Sequence, residues 1–175
     1  MCVMEVSHPQ EGGAIGRDGS FEALFRVEYP RLVEALYLLT GDASEAEEMA
    51  QEALARVYQR WDDVMRMASP GGYAYRVAVN LNRRRMRRYR VLVRHPTDGP
   101  DVSDDPAASA AGRTDVVRAV RALPRGQQEA VVLVELLDLT PAEAAQILRI
   151  RPASVRSRVH RAKVTLRASL EETND

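Results

Sequence analysis

The residues of this chain best suited to chemistry are cationic and aromatic rather than nucleophilic. In VNLNRRRMRRYR, residues 79–90, six arginines fall within eight positions and no acid interrupts them. On a helix, Arg76, Arg83, Arg84, Arg87 and Arg88 could present guanidinium groups to phosphates, or simply form a solvated face. Asn80 differs in kind. A mid-helix Asn costs helix propensity, so its place here points to a hydrogen bond, either to a base or to a neighbouring helix. Trp61 and Tyr73 bracket the segment before this helix. Rings beside basic residues can stack on unpaired bases, and they can equally serve as core.

A second group lies near the C-terminus. Ala145 is small enough for close helix approach, and Ile147 and Leu148 precede a tight turn, RIR, at 149–151. Val155 and Val159 then return to the same core, while Ser154, Arg156, Ser157, Arg158, His160 and Arg161 are left to face outward. This is helix-turn-helix spacing, which sets the second helix in a major groove. A plain helical hairpin with a basic face is the alternative. Arg149 stands where such turns often carry Gly.

Little suggests catalysis. The sequence shows no nucleophile–base pair and no phosphate loop. Glu47, Glu48 and Glu52 cluster without His or Cys, which fits a solvated or docking face better than a metal site. The single cysteine, Cys2, and the dispersed His8, His95 and His160 offer no ligand spacing. No metal, no cofactor and no enzymatic activity are expected. The chain also lacks an apolar run long enough to span a bilayer and the apolar stretch of a signal peptide, which predicts a cytoplasmic protein without membrane insertion.

What must position these groups is a set of helices. The 175 residues are 45% hydrophobic but only 5% aromatic, so Leu, Val and Ala supply the core. The formal net charge is zero, yet it is unevenly spread. Residues 42–63 hold seven acids and two bases, 76–94 hold eight arginines and no acid, and 149–167 hold seven bases and no acid. Such alternation suits more than one partner.

Residues 1–19 read as a disordered leader. A first helical domain spans 20–94. Ser20 caps a helix carrying Phe21, Leu24, Phe25, Leu32, Val33 and Leu36, bent at Pro30. SEAE at 44–47 reads as a capping box opening a helix that buries Ala46, Met49, Ala50, Ala53, Leu54 and Val57. A loop, WDDVMRMASPGG, leads through Ser69 and Pro70 to a long helix with Val77, Leu81 and Met86 inward. Residues 95–113 read as an acidic flexible linker. A second domain, 114–170, breaks at Pro124 and restarts at the Thr140–Glu143 box, and 171–175 form a tail. The predicted fold is all-α, two small helical domains on one tether.

Three segments together resemble the extracytoplasmic-function group of bacterial sigma factors. They are ASEAEEMAQEALARVYQRW, SPGGYAYRVAVNLNRRRMRR, and ALPRGQQEAVVLVELLDLTPAEAAQILRIRPASVRSRVHRAKVTL. The likeness covers regions 2 and 4 of that family, residues 20–92 and 114–170, and the arginine richness is like that of actinobacterial members. Family members often carry Asp at 48, Trp at 73 and an acid near 84, where this chain has Glu, Tyr and Arg.

The resemblance implies a sigma factor that binds core RNA polymerase and directs promoter recognition and melting. It implies core binding through Glu47, Glu48, Gln51 and Glu52. It implies contact with the −10 promoter element through Trp61, Tyr73, Arg76, Asn80, Arg83, Arg84 and Arg87. The −35 element falls to Ser154, Arg156, Ser157, Arg158, His160 and Arg161. Promoter DNA and core polymerase are the implied partners, with an anti-sigma factor as a third. The competing reading is a conventional helix-turn-helix regulator with an N-terminal sensing or dimerisation domain.

Overall fold

The computed structural model describes residues 20–92 and 111–173; the expected leader, and most of the expected linker, lie outside them. Every regular element among the described residues is helical. The first block contains α1 (Phe21–Thr40), α2 (Ala43–Tyr58), a single turn α3 (Trp61–Val64) and α4 (Pro70–Leu92). The second contains α5 (Ala111–Ala122), α6 (Arg125–Val131), a π-helical turn (Val132–Leu136), α7 (Pro141–Leu148) and α8 (Pro152–Thr173).

Local chemistry explains most boundaries. The Ser20 hydroxyl accepts from the Ala23 amide at 3.2 Å, and α1 continues through Pro30 without interruption. Its inward stripe is Leu24, Glu28, Leu32, Ala35, Leu36 and Leu39. Of the other apolar residues the helix carries, Phe25 is exposed, and Phe21 and Val33 are half-buried. Gly41 ends the helix in a left-handed conformation (φ 76°), its amide donating to the Tyr37 carbonyl at 2.8 Å. A Cβ there would stand 2.4 Å from the flexible end of the Arg121 side chain, so it is the left-handed backbone that favours glycine.

The N-cap of α2 lies two residues before the expected one. Asp42, not Ser44, is the N-cap, its carboxylate accepting from the Glu45 amide at 2.8 Å. An aspartate anion at that end is favoured by both the free amides and the helix dipole. The inward positions of α2 are those the periodicity predicts, Ala46, Met49, Ala50, Ala53, Leu54 and Val57. Three alanines on that stripe let α1 and α4 approach closely.

The segment expected as a loop after α2 contains the α3 turn before it reaches Ser69, whose hydroxyl caps α4 by accepting from the Gly72 amide at 3.0 Å. On α4 the buried side is Ala74, Tyr75, Ala78, Val79, Leu81 and Asn82. Met86, expected inward, is exposed. The Tyr75 hydroxyl donates to the buried Glu28 carboxylate, joining α4 to α1.

In the second block, α5 begins at Ala111, inside the segment expected to be linker, and α8 runs to Thr173, into the expected tail. The Gln128 amide nitrogen donates to the Arg121 and Leu123 carbonyls at 2.8 and 2.7 Å, satisfying the end of α5 before Pro124. Past α6 the helix widens. Leu137 donates to the Val132 carbonyl at 3.1 Å, an i to i−5 bond, and Asp138 leaves the turn at φ 54°.

The two blocks pack on each other, α1 against α5 and the π turn, α4 against α7. One buried core runs through both, with Leu32, Leu36 and Val79 facing Val132, Leu133 and Leu137. Arg31 of α1 donates to the Leu137 carbonyl at 3.0 Å and pairs with Asp138 at 3.3 Å.

Candidate nucleic-acid and polymerase interface

The α7–α8 pair has the geometry its sequence implies. Thr140 and Glu143 form a reciprocal box: the Thr140 hydroxyl accepts from the Glu143 amide at 3.3 Å, and the Glu143 carboxylate accepts from the Thr140 amide at 2.8 Å. The Thr140 hydroxyl, then its amide, hold the Glu143 carboxyl below the usual carboxylate range. Arg149 closes α7 in the left-handed region (φ 58°, ψ 47°), the conformation for which glycine is the common choice. Val155, Val159 and Ala162 of α8 then bury against Ala144, Ala145, Ile147 and Leu148.

Arg156, His160 and Arg161 are exposed along α8, with Arg149 and Arg151 exposed at the turn before it. Ser154 and Ser157 are half-buried. Arg158 departs from expectation. It is half-buried and lies over Gly126 at the start of α6, where a Cβ would come within 2.9 Å of its guanidinium. The reason is helical phase: position 158 shares the stripe of Val155, Val159 and Ala162, so its stem packs inward.

The arginine-rich helix is divided in the same way. Arg84, Arg87 and Arg88 are exposed on α4. Arg85 pairs with Glu45 of α2. Arg83, expected to face DNA, instead makes a two-point ion pair with Glu129 of α6, at 2.9 Å and 2.5 Å. Glu129 is only 3% exposed and also accepts from Arg125 at 3.1 Å, so the carboxylate sits between two guanidinium groups. That bond holds Arg83 above the ordinary guanidinium range, and it remains a cation throughout.

Asn80 is half-buried on α4. The buried asparagine of this helix is Asn82, whose Oδ1 has no partner; it escaped sequence reading because the neighbouring arginines mask the apolar phase. Arg76 lies over the Tyr73 ring at 5.2 Å, and both line a groove of about 180 Å³ whose far wall is Glu143, Gln146 and Ile147 of α7. Trp61, half-buried, lines a separate groove with Tyr58 and Asp62. It meets Phe21 edge-on at 5.7 Å.

On α2, Glu47, Glu48, Gln51 and Glu52 are all exposed. Glu52 pairs with Arg56, and Gln51 donates to the Tyr29 hydroxyl at 3.4 Å. Among the described residues no cluster of His, Cys, Asp or Glu could hold a metal ion, and no helix is long and apolar enough to cross a membrane.

A helix-turn-helix with a cationic outer face beside an arginine-rich helix is the arrangement of a helical DNA-binding protein. Comparison with known proteins gives the family. Residues 24–91 match the model for sigma-70 region 2, and residues 113–166 match that for sigma-70 region 4. The RNA polymerase sigma-E factor of Streptomyces avermitilis is 32% identical over 153 residues, covering 86% of this chain and 85% of that protein. The ECF RNA polymerase sigma factor SigW of Bacillus subtilis is 26% identical over 178 residues, 90% of this chain and 92% of the other. Among solved structures, the sigma factor RpoE bound to the anti-sigma factor NepR from Bartonella quintana superposes with a TM-score of 0.76 at 21% identity, covering 86% of this chain and 96% of that one. CnrH in complex with the cytosolic domain of CnrY gives 0.64 at 20%, over 90% and 91% of the two chains. The chain belongs to the extracytoplasmic-function sigma factors of the sigma-70 family, which bind core RNA polymerase and direct promoter recognition.

Proposed function

We propose that three surfaces of this sigma factor divide the work of initiation, and that none of them is catalytic. The exposed carboxylates of α2, Glu47, Glu48 and Glu52, with Gln51, dock on a basic element of core polymerase. The outer face of α8, led by Arg156, His160 and Arg161, reads the −35 element in the major groove. On α4, Arg84 and Arg87 hold phosphates of the −10 element, while Asn80 and Tyr73 serve bases once these leave the stack. The protein works where polymerase and promoters meet, in the cytoplasm. An anti-sigma factor is a further partner in this reading, since the Bartonella neighbour is held by one.

The observation that carries the division is the segregation of charge by helix: exposed acids on α2, exposed cations on α4 and α8. The free chain is closed, however. Arg83 is committed to Glu129, and Tyr73 and Arg76 face α7 across a narrow groove. Engaging two promoter elements therefore requires α4 to part from α6 and α7.

Transcription in vitro with core polymerase tests the reading. Glu48→Lys with Glu52→Lys is expected to abolish core-dependent transcription while helicity is unchanged. On a template premelted at −10, Asn80→Ala is expected to recover partly and Arg84→Ala with Arg87→Ala hardly at all. Undiminished core binding by the lysine pair, or equal recovery on the premelted template, overturns the assignment.

A further inference from the structure

The chain has six methionines, and four of them lie among the described residues. Their surroundings differ. Met49 is 5% exposed inside the core of the first block, out of reach of a dissolved oxidant. Met65 and Met86 are exposed. Met67 is half-buried in the short connection between α3 and α4, packed on the margin of the core. Its amide donates to the Val64 carbonyl at 2.9 Å, which fixes the backbone there.

Met67 also sits at the seam between the two blocks. With Tyr73 and Arg76 of α4 it forms one wall of the groove of about 180 Å³, and Gln146 and Ile147 of α7 form the other. At about 30 Å³ for each water, such a groove admits several molecules of that size, so a small oxidant can enter it. Leucine would fill the same space, since Leu and Met exchange in packed positions at little cost. What the thioether adds to this seam is its oxidation chemistry.

We propose that Met67 is an oxidation site that controls the contact between α4 and α7, with a peroxide as the oxidant. A sulfur lone pair of Met67 attacks one oxygen of hydrogen peroxide, and the S–O bond forms as the O–O bond breaks. The transferred oxygen's proton passes to the departing hydroxide, which leaves as water. The sulfur is oxidised by two electrons to the sulfoxide, and the peroxide is reduced by two. The product carries a strongly polar oxygen on a wall that faces Ile147. Keeping that oxygen in the closed seam costs its hydration, so the sulfoxide favours the parted form by about tenfold. A thiol-dependent sulfoxide reductase reverses the step. The proposal takes from the function assigned above only that closure sets Tyr73 and Arg76 against α7.

The test uses the full chain with fluorophores at the exposed positions 62 and 142, followed by energy transfer and by peptide mass spectrometry during treatment with hydrogen peroxide. The parent should lose energy transfer as Met67 gains one oxygen, the ratio of open to closed chains rising about tenfold. Met67→Leu should stay closed under the same treatment, and Met65→Leu with Met86→Leu should open like the parent. Met67→Gln, which puts a polar amide in place of the thioether, should be open before any peroxide is added. A sulfoxide reductase with its thiol donor should restore the transfer in the oxidised parent. The proposal is overturned if Met67 stays unoxidised while Met65 and Met86 react. It is equally overturned if Met67 is oxidised with energy transfer unchanged, or if Met67→Leu opens like the parent. An opened chain that binds single-stranded −10 DNA no better than the closed one would leave the oxidation site standing and count instead against Tyr73 and Arg76 as promoter contacts.

Discussion

Arg83 of α4 and Glu129 of α6 are joined by a two-point ion pair that crosses from one helical block to the other, 46 positions apart in sequence. The carboxylate is buried and the guanidinium is one-quarter exposed. Removing one partner of a buried pair leaves an uncompensated charge, typically a loss of about 3–5 kcal/mol. Arg125 remains beside Glu129 and softens that loss. Arg83→Ala is therefore expected to destabilise the closed chain by about 2 kcal/mol and to lengthen the distance between fluorophores placed on the two blocks. Its neighbour Arg84, exposed, should change stability by about 0.5 kcal/mol or less when truncated. Equal effects at the two positions would show that the pair does not hold the blocks together.

Arg156 and Arg158 of α8 should separate in the same manner. Arg156→Ala is expected to cost about 1–3 kcal/mol of promoter discrimination if its side chain reads a base edge. Arg158→Ala should chiefly lower the unfolding midpoint, since its stem packs over Gly126. Duplex binding and thermal unfolding of both variants decide the matter. A normal melting curve for Arg158→Ala together with a large loss of binding would return Arg158 to the DNA-facing set.

Arg149 tests the turn. A left-handed conformation costs a non-glycine residue about 1–2 kcal/mol, whereas glycine costs about 0.5–1 kcal/mol in chain entropy. Arg149→Gly is expected to match or exceed the parent in stability while reducing the salt slope of duplex binding by about one. Arg149→Val should fall below both. A glycine variant less stable than the parent would mean that the guanidinium stabilises the fold by more than its backbone costs.

The buried Tyr75–Glu28 contact gives the protein an alkaline limit. Burial, and then the hydrogen bond to Glu28, push the Tyr75 phenol above its ordinary value of 10.0. A raised folded value contributes stability in full below pH 10 and loses it as pH climbs further, because the unfolded phenol ionises first. Urea midpoints measured from pH 8 to 11 should drop steeply above 10. Tyr75→Phe should be less stable at neutral pH by about 1–3 kcal/mol, since Glu28 loses its donor, and should lack the part of the alkaline drop due to Tyr75. An unchanged alkaline drop in that variant would refute the linkage.

Much of this was legible in the sequence because apolar period is a local signal. All six inward positions of α2 follow from it, and so does the α7–α8 packing. Arginine runs carry no such signal. Arg83, Arg84 and Arg85 are chemically alike, and only partners 40 or more positions away in sequence decide that one bridges the blocks, one is exposed and one ties α4 to α2. Arg158 was readable, since it falls in phase with Val155 and Val159, but its charge argues for the surface and the phase wins. The rings of α1 show a mixed outcome: Phe21 and Tyr29 are half-buried, with Phe21 against Tyr58 and Trp61, whereas Phe25 is exposed. The π turn at Val132–Leu136 has no local mark in the sequence.

Arg83 and Arg85 together bear on how the free protein searches a chromosome. Both are neutralised by the chain's own acids, Glu129 and Glu45. A guanidinium held by an internal carboxylate releases no counterions from DNA, so the closed chain engages fewer phosphates than its arginines could. Under the opening proposed above, separation of α4 from α6 would free Arg83, and affinity for nucleic acid would then follow opening rather than precede it.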